Sequence, residues 1–274
     1  MKITIAHSPD ADDAFMFYAL ANGKIDTDGV ELTHTLCDIQ TLNDAAEKGL
    51  YEVTAISYHA YPYVQDKYAM MTTGGSFGEK DYGPMVVKRP ETMEVNTIAV
   101  PGLKTTAFLL LKLWNPDIDY KIVPFDQILD AVLEKEVDAG LIIHEGQLMY
   151  KDLGLEVVEN FGTWWYNRYQ LPLPLGGNAV RRDLPPPLQK KLAKWIHASI
   201  QFGLEHREKA LEHALKFSRE LPRQKGDQFV GMYVNERTLD LGAQGKKAVQ
   251  TLLDLGYEQG LILNKAKLDW VHYT

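Results

Sequence analysis

The chain has 274 residues, 45% hydrophobic and 24% charged, the balance of a folded globular protein with room for one large domain or two ordinary ones. Its 29 basic against 37 acidic residues leave a net charge of −8 with no basic run, which excludes nucleic acid as an expected partner. The single cysteine, Cys37, excludes an intrachain disulfide and any multi-cysteine metal site, and no apolar stretch is long enough to span a membrane.

Residues 2–6 read as a strand, entered without the long apolar region or cleavage site of a signal peptide, so a cytoplasmic location is expected. Residues 12–22 form a helix with Phe15 and Leu20 on its apolar face, and 30–36 a second strand. Residues 41–48 make a short helix stopped by Gly49, and 53–56 a third strand running into Ser57 and the aromatic segment Tyr58-His59-Ala60-Tyr61-Pro62-Tyr63. Gly74-Gly75-Ser76-Phe77-Gly78 lacks the lysine spacing of a phosphate loop and reads as a flexible loop near a cleft. Residues 85–88 form a strand that leads into Arg89-Pro90.

A second series follows: strand 97–100, helix 105–114, strand 120–123, helix 125–133, and the short apolar run Val137-Asp138-Ala139-Gly140-Leu141-Ile142-Ile143, a buried strand that ends on His144-Glu145. Leu171-Pro172-Leu173-Pro174-Leu175-Gly176-Gly177 is extended, being too rich in proline for a helix. Beyond Pro185-Pro186-Pro187 the chain turns helical, with Leu188, Leu192, Trp195, Ile196 and Ser199 at helical spacing, then helices over 207–217 and 238–255, the last closed by Gly256.

Alternating strands and helices predict an α/β protein with a mainly parallel sheet. Two successive α/β units and a helical C-terminal region predict a chain that builds one lobe, crosses to another and returns. The expected lobes are 1–88 with 177–274, and 89–176, with crossings at Arg89-Pro90 and in the 171–177 segment. A ligand cleft then lies between the lobes.

Four strand-to-helix junctions carry polar residues: His7-Ser8-Pro9-Asp10, Ser57, Pro101-Gly102-Leu103-Lys104-Thr105-Thr106 and His144-Glu145-Gly146. Ligands bind at such strand ends in open α/β sheets. Histidine takes or gives protons near neutral pH, although a strand-end histidine also serves purely structural roles. At the 102–106 turn, two hydroxyls stand where a helix N-terminus holds anions, or where a threonine simply caps the helix. Ser57 is open to the same two readings, ligand contact or local backbone bond. Glu145 follows His144 directly, but neighbours along a strand point to opposite faces.

Asp10, Asp12 and Asp13 form a carboxylate cluster of the kind usual in a first helical turn. His144-Glu145 is not the H-E-x-x-H zinc motif, because Leu148 stands at the second histidine position. Trp164-Trp165 and the aromatics of 58–63 suit either a core or a stacking surface. His197, His206 and His213 lie on helical segments among polar neighbours and are expected to be solvated.

Taken together, Ile56-Ser57-Tyr58-His59-Ala60-Tyr61, Gly83-Pro84 ahead of a strand, Pro101-Gly102 with Thr105-Thr106-Ala107, Gly140-Leu141-Ile142-Ile143-His144-Glu145 and Leu171-Pro172-Leu173-Pro174-Leu175-Gly176 resemble the 1,4-dihydroxy-6-naphthoate synthases of the futalosine route of menaquinone biosynthesis. The resemblance implies a two-lobed fold like the type 2 periplasmic binding proteins, with the site in the interlobe cleft. It implies a lyase needing no cofactor or metal that converts cyclic dehypoxanthine futalosine to 1,4-dihydroxy-6-naphthoate. It also implies that His144 is the proton acceptor and that Ala55, Ile56, Ser57, Thr105 and Thr106 contact a small carboxylate substrate. Two positions depart from the family pattern. Its early motif is commonly Ser-Pro-Cys-Pro-Asn-Asp, here Ser8-Pro9-Asp10-Ala11-Asp12-Asp13, and its lysine two residues before the serine is here Ala55.

Two other readings stand beside this one. Chorismate dehydratase, the sister enzyme of the pathway, shares the fold and also catalyses an elimination. A solute-binding protein would close on a small carboxylate without chemistry, a reading that the expected lack of an export signal disfavours. Nothing in the sequence specifies an oligomeric state.

Overall fold

The computed structural model describes residues 1–217 and 222–274, apart from the side chain of Glu145. It begins with β1 (Lys2–His7), α1 (Ala11–Met16) and α2 (Tyr18–Ala21). The single helix expected over 12–22 is broken at Phe17, with φ −92° and ψ 3°. The cause is a side chain inserted into the ladder: the Ser199 hydroxyl donates to the Met16 carbonyl at 2.8 Å and accepts from Leu20 N at 3.2 Å. Next come β2 (Glu31–Leu36), α3 (Ile39–Glu47) and β3 (Val53–Ser57). Asp38 caps α3 by accepting from Thr41 N at 3.0 Å. The aromatic segment forms a 3₁₀ turn and α4 (Tyr61–Val64), followed by the short buried strands β4 (Tyr68–Met71) and β5 (Ser76–Gly78).

The second series comprises β6 (Met85–Lys88), β7 (Thr97–Val100), α5 (Thr106–Trp114), β8 (Asp119–Ile122), α6 (Ile128–Leu133), β9 (Ala139–Ile142), β10 (Glu156–Asn160) and α7 (Phe161–Tyr169). The return strand β11 (Leu173–Arg181) leads to α8 (Pro186–Glu205), α9 (Arg207–Ala214), α10 (Arg223–Tyr233), α11 (Glu236–Leu239), α12 (Gly242–Glu258) and β12 (Trp270–Val271). Helix α12 does not close at Gly256 as expected but runs through it. A Cβ there would lie 2.6 Å from Ile262 Cδ1, so the glycine serves close packing and not a cap.

Among the described residues the strands form two mixed sheets. The first has the order β12-β4-β11-β3-β1-β2 with β5 also on β11, and the second β10-β6-β9-β7-β8. The expected parallel core is present, as β1 runs parallel to β2 and β3, and β7 to β8 and β9. The return strand β11 is antiparallel to β3, β4 and β5, and β6 to β9 and β10, so neither sheet is mainly parallel.

The sheets also move the crossings. Met85–Lys88 pairs with β9 and β10, so the chain leaves the first sheet before β6 and not at Arg89-Pro90. It re-enters at Leu173, ahead of the expected boundary at 177. One apolar cluster, including Ile56 and Tyr58 from the first half and Val86, Ile98 and Leu141 from the second, continues through both halves. The cleft therefore lies to one side of a shared core. Among the described residues no helix is long and apolar enough to cross a membrane.

Candidate active site

The carboxyl ends of β1, β3, β7 and β9 converge on one cavity between the sheets, as strand ends do in ligand-binding α/β folds. Its walls include Ser8, Asp10, Asp12 and Asp13 after β1, Ala55, Ile56 and Ser57 of β3, Thr105 to Ala107 after β7, and Ile143 and His144 after β9. Gly176 and Gly177 of β11 and Phe229 and Tyr233 of α10 also line it. All six sequence-derived site residues thus share one space. Its accessible volume is about 120 Å³.

His144 follows β9 after Ile143 in a left-handed conformation, φ +57°, and opens a 3₁₀ turn over His144–Leu148. That conformation is uncommon for a residue with a side chain and is held only where surroundings over-determine it. The imidazole is fixed from both sides. Its Nδ1 lies 2.7 Å from Asp10 Oδ2, and the Phe125 ring meets it edge-on at 4.9 Å. Its Nε2 is buried without a protein partner, on a residue that lines the cavity.

Burial pulls the His144 pKa down, but the charge and hydrogen bond of Asp10, aided by Asp12 and Asp13, outweigh this and raise it to about 8. The acidic side chains respond to the same crowding. Burial, then the neighbouring Asp13 and Asp10 charges, raise the Asp12 pKa well above the ordinary range. Burial raises that of Asp13 to about 6, against a bond from Ser8 N at 2.7 Å. Asp12 and Asp13 do occupy the first turn of α1, as expected of such residues, but they also form a cavity wall. The sequence contains no motif joining residues 10 and 144, so only the meeting of two distant strand ends reveals this cluster. The side chain of Glu145, considered above as a neighbour of His144, lies outside the described residues.

Across the cavity the hydroxyls are already engaged. Thr105 Oγ1 donates to the Gly102 carbonyl at 2.8 Å and accepts from Phe108 N at 3.2 Å, the capping reading of this residue. Thr106 Oγ1 donates to the Leu175 carbonyl at 2.6 Å and accepts from His59 N at 3.3 Å, tying α5 to the first half. The N–H groups of Thr106 and Ala107 fall in the first turn, which has no intrahelical acceptors. Ser57 is locked by Asn43, which donates to its Oγ at 3.1 Å and accepts from its N at 2.9 Å. The Ser57 hydroxyl hydrogen is not used in either bond.

Two clasps flank the cavity. On one side Lys104 pairs with Asp44 and Glu47 of α3, and Lys104 N donates to Gln40 Oε1 at 3.1 Å. Gly102 presses on the same glutamine, so closely that a Cβ would come within 2.2 Å of its Oε1. On the other, Tyr233 Oη donates to Gln147 Oε1 at 2.8 Å, and Lys225 Nζ donates to the Leu148 carbonyl at 3.0 Å.

The remaining candidates have structural places. Trp165 is fully buried with Nε1 donating to the Pro172 carbonyl, and Trp164 packs in the same core. His7 stacks on Phe17 and does not line the cavity, and its pKa is pushed down to about 3, chiefly by burial. His206 is exposed, whereas His197 and His213 are half-buried against Tyr273 and Tyr18, not fully solvated. Among the described residues no group of three or more His, Cys, Asp or Glu side chains is arranged to hold a metal ion.

The fold is shared with binding proteins. The alkanesulfonate-binding protein SsuA of Xanthomonas axonopodis superposes with a TM-score of 0.72 at 14% identity, over 95% of this chain and 94% of that one. A crystal structure of a protein from Archaeoglobus fulgidus superposes with a TM-score of 0.92 at 47% identity, over 95% of this chain and 98% of that one. Two relatives carry the name 1,4-dihydroxy-6-naphthoate synthase. That of Thermus thermophilus is 38% identical over 261 residues, 94% of this chain and 95% of its own, and that of Streptomyces coelicolor 35% over 268 residues, 95% and 94%. With residues 3–258 matching the family described as menaquinone biosynthesis, the chain belongs to that family of enzymes, on a two-lobed α/β fold of the periplasmic-binding-protein type.

Proposed function

We propose that the chain is a 1,4-dihydroxy-6-naphthoate synthase, a lyase that cleaves cyclic dehypoxanthine futalosine with His144 as general base. The observation that carries this reading is the His144 imidazole, which lines the cavity and is held through Nδ1 while its buried Nε2 has no protein partner. It is supported by the two relatives of that name along nearly the whole chain.

In this reading the substrate carboxylate sits at the N-terminus of α5. The Thr106 and Ala107 N–H groups and the Ser57 hydroxyl donate to it, with the positive helix end adding attraction. Ala55 and Ile56 supply the apolar floor. His144 Nε2 removes a proton from the carbon next to a carbonyl; elimination and aromatisation of the naphthoid ring then expel the sugar fragment. The accessible volume of about 120 Å³ is smaller than the roughly 300–1,000 Å³ of ordinary ligand pockets. The two sheet systems therefore part to admit the substrate and close to exclude water.

The test is direct. The purified protein is incubated with cyclic dehypoxanthine futalosine, and dihydroxynaphthoate formation is followed by absorbance and mass. Turnover is expected. Dehydration of chorismate instead would assign the sister activity, and tight binding without product would assign a solute-binding role.

A further inference from the structure

The Ser8 to Asp13 segment departs from the family pattern at the point where the structure brings it against His144. Asp10 stands at the position where the family commonly carries cysteine. It is buried, and its Oδ2 takes the His144 Nδ1–H at 2.7 Å while accepting the Ser8 hydroxyl at 2.8 Å. The Ser8 hydroxyl also accepts from Asp10 N at 3.1 Å, so the carboxylate is braced by its own turn. The two partners come from different sheets. Asp10 follows β1, His144 follows β9, and the bond spans the cleft.

We propose that Asp10 is a positioning residue for His144, delivered from the opposite lobe, that keeps the proton on Nδ1 and presents Nε2 to the substrate as the acceptor. The proposal rests on His144 being the base. A neutral imidazole bonded through Nδ1–H to a carboxylate can accept only at Nε2. The same contact helps hold a residue whose φ of +57° is otherwise costly. Because the bond crosses the cleft, it forms when the lobes stand together and parts when they separate. The base is therefore completed by closure.

Other groups face the imidazole. Asp12 and Asp13 reach it from the same turn, the Phe125 ring covers it from its own half, and Tyr233 of α10 lines the cavity with its hydroxyl bonded to Gln147. Burial raises the Tyr233 pKa, which keeps it neutral, so the titratable neighbours that remain when Asp10 is neutralised are Asp12 and Asp13, both with carboxyls raised above the ordinary range by burial.

The experiment compares wild type with Asp10→Asn, which keeps the shape and an acceptor, with Asp10→Glu, which keeps the charge, and with His144→Gln. Two quantities are read: the imidazole titration of His144 by NMR, assigned through its loss in His144→Gln, and the pH profile of kcat/KM. Asp10→Asn is expected to lower both the imidazole pKa and the acid limb by about one unit or more. It is expected to lower kcat at the plateau with little change in KM, and to leave the melting temperature near that of wild type above pH 8, where the imidazole is neutral and its pairing with the carboxylate no longer adds stability. Asp10→Glu is expected to restore part of the limb. A structural role alone would move melting temperature or KM and leave the limb in place. If His144→Gln is inactive while the imidazole and the limb stay put in Asp10→Asn, the Asp10 proposal is overturned and the base reading stands. If His144→Gln turns over normally, both are overturned.

Discussion

β7 and β9 lie side by side and parallel in the second sheet, yet their carboxyl ends are finished in opposite ways. After β7 the chain makes a capped helix: Thr105 and Thr106 spend their hydroxyls on Gly102, Phe108, Leu175 and His59. What remains toward the cavity is backbone. After β9 the chain takes a left-handed residue and a 3₁₀ turn, and what remains is the one unpaired nitrogen of a side chain. A fixed charge needs an array of N–H groups that never change protonation, and a proton acceptor needs one group that does. In the proposed function, adjacent strands thus supply an anion-binding end and a titrating end.

The sharpest way to break this comparison is at the titrating end. His144→Ala is expected to lower kcat about 10²- to 10⁴-fold with a much smaller change in KM, measured on the cyclic substrate. Near-normal turnover would remove the histidine from the chemistry. The pH dependence carries a sign that can be checked separately. A base must be neutral, so kcat/KM should climb as pH rises through about 8 and level off above it. Stability should run the other way. His144 has its folded pKa raised from 6.5, so its contribution is fully present below 6.5 and is lost as pH rises through about 8. Thermal melts of wild type should fall across that window relative to His144→Gln, while activity rises.

What the sequence reveals about this site follows from how each part is built. The strand ends at Ser57, Thr105 and His144 are legible because buried strands and helix caps have local signatures, and the resemblance along the chain places them in one cleft. Asp10 is not legible as the partner of His144. Acidic residues in a first turn are common, and the two positions meet only through the packing of two sheets. The missed strands β4, β5, β10 and β12, of which β5 falls in the segment read as a flexible loop, are only two to five residues long, too short for a periodic pattern to declare them, and α10 has too few apolar positions to declare a face. The break in α1–α2 is invisible for a similar reason: it depends on Ser199, far away in sequence.

At the anion-binding end the expected effects are on architecture. Thr106→Val keeps the shape but leaves the Leu175 carbonyl and His59 N without their partner, and is expected to cost about 1–3 kcal/mol of stability in denaturant unfolding. Thr105→Ala removes the cap of α5 for about 1 kcal/mol. Both should retain much more turnover than His144→Ala. Full stability with abolished substrate binding in Thr106→Val would show that the hydroxyl, and not the backbone, takes the ligand, and the contrast between the two strand ends would collapse.

The smallest expected effect tests whether the clasp beside that end matters. Lys104 joins Asp44 at 2.9 Å and Glu47 at 2.8 Å, but all three side chains are at least a quarter exposed, so the ion pairs are worth about 0–1 kcal/mol. Lys104→Met keeps the apolar stem and the backbone bond to Gln40, which persists whatever the side chain. KM should therefore rise by no more than about fivefold, the factor that corresponds to 1 kcal/mol. The charge contribution is screened by salt, so wild-type KM should drift toward the variant's value as ionic strength increases. A larger loss, insensitive to salt, would mean that the lysine meets the substrate carboxylate itself, and the anion site would then rest on a side chain as well as on the end of α5.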